Sequence, residues 1–349
     1  MFTATADTID GLLRQVFEQL LSNDERNRRV ESRKGQSTET FAALLELTNP
    51  RARISRSIAR SKVTSALGEM AWYLSGSDAL PFIKHYLDRY DEFSDDNATL
   101  SGAYGKRIFK IRKRFKVGGK IRIGTEWQRI IETLKERPGS RNATIQLFSN
   151  SDARRDSLDI PCTCSLQFVV RNESLDLEAH MRSNDALLGL PHDVFSFTMF
   201  QEIAARELGY EVGRYFHSVG SLHLYDDSED LPSRQMAQKY LDEHHFDDIP
   251  MSAMSSGNPW PSIREFLRVE EALRLGSLDF EIPASMGPYW RELAVMLKIY
   301  ANSKASPDAA AVIKAHIDEL SPTFKTFAID RLKKVLGDDQ SARQYLRGK

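Results

Sequence analysis

The feature that most restricts this chain is an order of segments in its middle third. Three strand-like stretches, ATIQLFS at 143–149, SLQFVV at 165–170 and SLDLEAHM at 174–181, follow one another closely. A helix-length segment at about 192–208 comes next, and then a further strand-like stretch, VGRYFHSVGSLHLY. SLDLEAHM alternates apolar and polar residues, as a strand with one covered face does. Strands that bury one face need helices against that face, so this order predicts an α+β fold, a sheet with helices packed on one side.

The rest of the chain supplies those helices. Residues 7–23 and 125–136 read as helices, the second ended by Pro138-Gly139. Residues 62–74 place Val63, Leu67, Met70 and Leu74 at helical spacing. ESRKGQSTET at 31–40 and SDDNATLSGAYG at 94–105 read as turns or loops. From about 262 the character changes to four helix-length segments separated by Gly, Pro or Ser. The expected organisation is a catalytic domain over residues 1–260 and a helical C-terminal extension over 261–349. The extension carries no catalytic signal, because apolar stripes at helical spacing are mostly core.

Composition excludes several classes of function. A formal net charge of -1 gives no global field for nucleic acid or an anionic membrane, so neither is expected as a partner. No apolar run approaches the ~18 residues of a membrane span. The opening MFTATADTIDGLLRQVFEQL carries acids, reads as an amphipathic helix and lacks the basic and apolar blocks of a signal peptide. Two cysteines in so long a chain make no disulfide framework, so a cytoplasmic location is expected.

Both cysteines lie in LDIPCTCSLQF, residues 158–168. A disulfide between Cys162 and Cys164 would close a tightly strained ring. A zinc site needs about four ligands, and the eight histidines are scattered, His244 and His245 being adjacent with diverging side chains. No metal site is therefore expected. Two small buried hydrophobes, or a nucleophile with a neighbour, stay open until the flanks are read.

Seven stretches occur in order: GEMAWYLSG (68–76), YDEF (90–93), GAYGK (102–106), GSRNATI (139–145), IPCTCSLQFVV (160–170), MRSNDALLGLPHDVFSF (181–197) and HSVGSLHLYDD (217–227). At these spacings the set resembles the thymidylate synthase family of pyrimidine-nucleotide C5 one-carbon transferases, over roughly residues 30–227. The resemblance implies a thymidylate synthase-like sheet with packed helices. It makes Cys162 the nucleophile, with Arg182 supplying positive charge that favours its thiolate, and it gives Cys164 no role. A soft nucleophile at C6 turns the pyrimidine into an enamine or enolate whose C5 can attack.

The same resemblance implies the other sites. Arg33, Arg182 and Ser183 would hold the nucleotide phosphate, with Arg141 reaching across from the second subunit of a homodimer. The family commonly has two consecutive arginines at that arm, where this chain has Arg141-Asn142. Gln167 is expected among the nucleotide-binding residues, and His223 and Tyr225 at the sugar hydroxyl. Glu69 would be the general acid/base, its pKa raised if buried, and Tyr104 would line the site beside the nucleophile. The cofactor implied is 5,10-methylenetetrahydrofolate, contacted by Tyr90, Phe93, Asp185, Leu188, Gly189 and His192.

Departures from the family pattern bear on substrate and product. Asp193 ends LLGLPHD where thymidylate synthases have asparagine. An amide suits the O4 and N3–H of uracil, whereas a carboxyl accepts from the 4-amine of cytosine. Within the family this replacement marks the cytidylate hydroxymethylases. Tyr90 replaces a tryptophan beside the folate, and Thr163 replaces the histidine after the nucleophile. His192 replaces an apolar contact. The helical segment ending QYLRGK stands in place of the family's closing tail. A less sealed site lets water complete the transfer, giving hydroxymethyl. The expected reaction therefore converts a cytidine monophosphate, dCMP or CMP, to the 5-hydroxymethyl product. C5 methylation of dUMP or dCMP is the alternative within the family, and a non-catalytic nucleotide- or RNA-binding protein is the alternative outside it.

Overall fold

A computed structural model gives the architecture, and residues 1–57, 63–154, 156–243 and 249–337 of it are described. His244, His245 and the closing QYLRGK lie outside the described residues. The elements in chain order begin with β1 (Phe2–Ala6), α1 (Ile9–Leu21), β2 (Asn27–Ser32), β3 (Gly35–Leu47), α2 (Val63–Ser75) and α3 (Leu80–Lys84). They continue with β4 (Lys113–Val117), β5 (Lys120–Gly124), α4 (Glu126–Glu136), β6 (Thr144–Gln146), β7 (Thr163–Arg171), β8 (Ser174–Asp185), α5 (Gly189–Leu208) and β9 (Glu211–Tyr225). Five helices close the order: α6 (Ser233–Asp242), α7 (Trp260–Arg274), α8 (Pro288–Ala305), α9 (Ala309–His316) and α10 (Pro322–Leu336).

Seven strands form one mixed sheet in the order β1-β3-β9-β8-β7-β6, with β2 paired to β3. The pairs β1–β3 and β8–β9 are parallel and the others antiparallel, while β4 and β5 form a separate hairpin. This is the expected α+β class. Strand alternation sets the two faces. Leu166, Phe168, Leu175, Leu177, Ala179, Tyr215 and His217 are buried under the helices, whereas Gln167, Val169, Asp176, Glu178 and Phe216 line the open face. Among the described residues no helix is long and apolar enough to cross a membrane.

Two readings of the sequence need correction. ESRKGQSTET is not a loop: it is the tip of a hairpin in which only Arg33 and Lys34 separate β2 from β3. Gly35 adopts φ +111°, which side chains rarely reach, and this closes the turn. The polar stretch folds as strand because its side chains find partners; the Thr40 hydroxyl donates to Asn27 Oδ1 at 2.6 Å. The first residues are also a strand rather than a lead-in to a helix, since Phe2–Ala6 pairs with Ala43–Leu47.

α2 is buried on nearly every side: from Val63 to Leu74 only Thr64 escapes burial. α5 covers one flank of it, and α7 and α8 cover another. The C-terminal helices thus share one continuous buried core with the sheet and α2. Tyr86 donates to Glu270 of α7 at 2.8 Å and stacks on Tyr300 of α8 at 5.6 Å, and Tyr289 of α8 donates to the sulfur of Met199 in α5. Because the core is continuous, thermal unfolding should be a single cooperative transition. Phe266→Ala, which removes a fully buried ring packed on Trp290, should destabilise the whole chain by about 3–5 kcal/mol. Two separate melting steps in calorimetry, with only one moved by the substitution, would contradict this.

Candidate active site

The site lies where β7 begins and β8 ends, beside the first turn of α5. A β-bulge shapes its centre. Thr163 pairs with Met181 and Ser165 with His180, which leaves Cys164 as the extra residue. The Cys164 carbonyl accepts from Leu147 and Phe148, at 2.9 and 3.2 Å, so this residue works through its backbone. Its side chain is half-buried rather than packed in the core. Cys162 sits just before the bulge, also half-buried, and neither cysteine forms a disulfide.

Arg182 braces the Cys162 segment from β8. Its backbone N–H donates to the Cys162 carbonyl at 2.9 Å, and its guanidinium donates to the Pro161 and Ile160 carbonyls, both at 3.0 Å. The Arg182 charge does not outweigh burial at the thiol. Burial pushes the Cys162 thiol up, Asp193 and Asp159 reinforce this, and Arg182 and Lys34 only oppose it. Tyr104 approaches from the other side, its hydroxyl oxygen accepting from the Thr163 N–H at 3.1 Å. It is held there by a stacked ring, Tyr73, at 5.4 Å. The turn that carries Tyr104 is tied down by Asp159, which accepts from the Gly102 N–H at 2.6 Å. Any side chain at Gly102 would strike that carboxylate, its Cβ lying 2.7 Å away.

Two acids face each other across the interior. Glu69, 5% exposed on α2, accepts from the Tyr90 hydroxyl at 2.5 Å. Asp193, in the first turn of α5, accepts from the Asn184 amide at 2.8 Å. Burial, and then the Glu69 carboxylate, raise Asp193 well above the usual carboxylate range. Asp193 therefore favours its acid form, where the sequence suggests a carboxylate. Gly189 makes this contact possible, since a Cβ there would stand 2.8 Å from the Asn184 amide nitrogen.

The remaining candidates divide by place. Ser183 and Asp185 on β8 pair in register with Ser221 and His223 on β9, and Tyr225 pairs with Ser37, so they gather at one end of the sheet. His223 and Tyr225 meet edge to face at 4.9 Å. Arg33 reaches back to the Leu158 carbonyl at 3.0 Å, which sets the β2–β3 turn beside the segment that leads to Cys162. Lys34 lies 3.6 Å above the Phe93 ring. Tyr90 packs at 5.7 Å against both Trp72 and Phe93, an aromatic wall next to Glu69. Asp185 caps the entry to α5, accepting from Leu187 and Leu188 N–H.

Three candidates stand apart from that cluster. Gln167 is on the open sheet face and donates to the Arg141 carbonyl at 2.9 Å. Arg141 is exposed beside it, ahead of β6. His192 points inward, its Nε2 at 2.9 Å from Ser65 Oγ and its Nδ1 at 3.0 Å from the Leu188 carbonyl. It lines a small cavity with Arg53, Val63 and Phe195. Asn184 was not singled out from the sequence although it lies inside MRSNDALLGLPHD. Nine residues separate it from Asp193, a spacing that belongs to no periodicity, and only the turn into α5 brings them together. Two polar residues on the inward face of β9, Tyr215 and His217, were the legible signal that a polar network lies there.

Known proteins agree with this layout. The family model described as thymidylate synthase matches residues 13–252. Thymidylate synthase of Bacillus subtilis subsp. natto is 30% identical over 171 residues, 49% of this chain and 60% of that protein. The thymidylate synthase of Bacillus phage phi3T is 29% identical over 171 residues, with the same shares. The chain thus spans 60% of the length of these curated relatives. Among solved structures, thermostable thymidylate synthase A from Bacillus subtilis superposes with a TM-score of 0.54 at 21% identity, covering 69% of this chain and 86% of that one. With a mixed sheet that shares this fold and a family match over residues 13–252, more than half of its length, the chain belongs to the thymidylate synthase family.

Proposed function

We propose that this protein transfers a one-carbon unit to C5 of a cytidine monophosphate and that water completes the product as 5-hydroxymethylcytidylate. The observation that carries the reading is Asp193 in the first turn of α5, one oxygen held by the Asn184 amide at 2.8 Å and the carboxyl raised above the usual range by burial and by Glu69. A carboxylic acid offers one donor and one acceptor side by side, the pattern that cytosine N3 and its 4-amine complement. Donation toward N3 withdraws electrons from the ring and makes C6 more open to a thiolate.

The side chains divide the work. Cys162 must lose its proton before it adds at C6, and Arg182 and Lys34 are the cations that oppose the effect of burial. Once the thiolate has added, C5 becomes nucleophilic. Glu69, held by the Tyr90 hydroxyl, would accept and return a proton as the general acid/base. Arg33, Arg182 and Ser183, with Arg141 from a second subunit, would bind the phosphate, since arginine forks suit it. His223 and Tyr225 would take the sugar hydroxyl. The open sheet face, lined by Leu44, Gln167, Val169 and Phe216, supports a homodimer that brings Arg141 to the neighbouring site.

The donor is 5,10-methylenetetrahydrofolate, which when bound supplies a carbon at the oxidation level of formaldehyde. The half-buried rings of Tyr90 and Phe93, with Trp72 packed behind Tyr90, fit a flat heteroaromatic ring. Leu188, half-buried beside Asp185, adds an apolar surface. Gly189 and Asp185 serve the entry to α5, and His192 is turned away from that wall, so neither His192 nitrogen is offered to a ligand.

Three outcomes test this reading. Cys162→Ser should lower turnover to below about one thousandth while nucleotide binding stays measurable, because only the covalent step needs the thiolate. Cys164→Ser should keep activity of the same order, since its bonds are made by the backbone; equal losses in both variants would reject the assignment. Arg141→Ala and Cys162→Ala, each inactive, should regain activity on subunit exchange, because a mixed dimer has one site with both groups intact. No regain after confirmed exchange counts against a shared site. Asp193→Asn should shift the kcat/KM ratio of cytidylate to uridylate toward uridylate by about ten- to a hundredfold. Tritium release from C5-labelled nucleotides measures the ratio, absorbance of dihydrofolate reports any methylation, and an unchanged ratio removes the cytosine assignment.

A further inference from the structure

A carboxylic acid is ambidextrous: its proton can sit on either oxygen. Cytosine presents an acceptor at N3 and a donor at its 4-amine, and uracil presents the reverse pair at adjacent positions. An acid free to choose its protonated oxygen could match both bases. Discrimination therefore needs something that fixes the oxygen.

Behind Asp193 runs a buried chain of three polar side chains. The Tyr215 hydroxyl is 2.7 Å from His217 Nδ1, His217 Nε2 is 2.9 Å from Asn184 Oδ1, and the Asn184 amide nitrogen is 2.8 Å from Asp193 Oδ2. Tyr215 and His217 are fully buried, and Asn184 is 4% exposed. The direction of this chain follows from its far end. A buried hydroxyl must donate, and among the described residues His217 is the acceptor within reach of Tyr215. Nδ1 of His217 is therefore bare. Burial, and then His180, push His217 down to about 3, so the ring is neutral and its hydrogen is on Nε2. Nε2–H donates to Asn184 Oδ1, which turns the Asn184 amide toward Asp193. Oδ2 of Asp193 is then committed as an acceptor, and the acid proton is left to Oδ1.

We propose that the Tyr215–His217–Asn184 chain fixes which oxygen of Asp193 carries the proton, and that Asn184 is thereby a specificity-determining residue for the base. The proposal rests on the reading of Asp193 as the residue that meets the base. The chain acts from behind, so Asn184, His217 and Tyr215 are positioning residues. Reversing the direction would leave the Tyr215 hydrogen without an acceptor in a dry interior, which is what holds the order in place. Glu69 from α2 and Asp185 from the end of β8 are the other charged groups that bear on Asp193; both act to keep it protonated and neither selects an oxygen.

The test compares kcat/KM for C5 tritium release from cytidylate and uridylate in five full-length proteins. Asn184→Leu removes the amide at similar volume and should lower the wild-type preference between the bases about tenfold, one lost hydrogen bond's worth. Tyr215→Phe keeps the ring, frees the histidine to switch tautomer, and should lower the preference in the same direction by less. In an Asp193→Asn background, Asn184→Leu should leave the ratio where Asp193→Asn alone puts it. Nitrogen-15 spectra of the imidazoles should report His217 as the Nε2–H tautomer, neutral from pH 5 to 9, with that preference lost in Tyr215→Phe. An unchanged ratio in the folded variants, or a wild-type Nδ1–H tautomer, overturns the proposal. If Asn184→Leu does not fold, Tyr215→Phe and the spectra decide it. A wild type that prefers uridylate would remove the cytidylate reading, whereas a ratio moved by Tyr215→Phe would still uphold the chain.

Discussion

The entry of α5 against the end of β8 is the contact on which the site depends. Gly189 has no side chain, so Asn184 can close on Asp193 at 2.8 Å, and Asp185 caps the same turn through two N–H groups. From there α5 runs for 20 residues over the buried face of the sheet. Its burial fixes α2 beside it, and α2 carries Glu69. A shift of the first turn of α5 would therefore move Asp193 and Glu69 together with the sheet end that holds His223 and Tyr225.

The electrostatics of the site bear on Asp193. Low solvation and a neighbouring like charge both disfavour ionisation of a carboxyl group. The Tyr90 hydroxyl donates to Glu69 and the Asn184 amide to Asp193. The net effect raises Asp193, with burial as the larger cause and Glu69 the next. Burial likewise raises Tyr90 and Tyr104, so both phenols stay protonated and serve as hydrogen-bond partners rather than bases. Burial also raises the Cys162 thiol, and Arg182 and Lys34 only oppose it.

The C-terminal helices enter this picture through packing. Glu270 of α7 and Tyr300 of α8 meet Tyr86, and Tyr289 meets Met199 on α5. The segment packs behind α2 and α5, the helices that carry Glu69 and Asp193. Its apolar stripes were legible as core, but the partner that they cover was not.

The residues along β7, β8, α5 and β9 announced an α+β sheet, and the motifs around Cys162 and Asp193 announced the family, because strand and helix periods and short motifs are local properties of a chain. The edge hairpin β2–β3 was misread because its polar side chains satisfy one another only when the strands pair, as Thr40 and Asn27 do. Tertiary structure alone decided that Cys164 is a bulge residue, that His192 turns inward and that Gln167 faces the open side of the sheet. It also decided that Asn184, nine residues before Asp193, and His217, on a different strand, act on one carboxyl group. Protonation and hydrogen-bond direction depend on what surrounds a group in three dimensions, and no spacing along the chain encodes that.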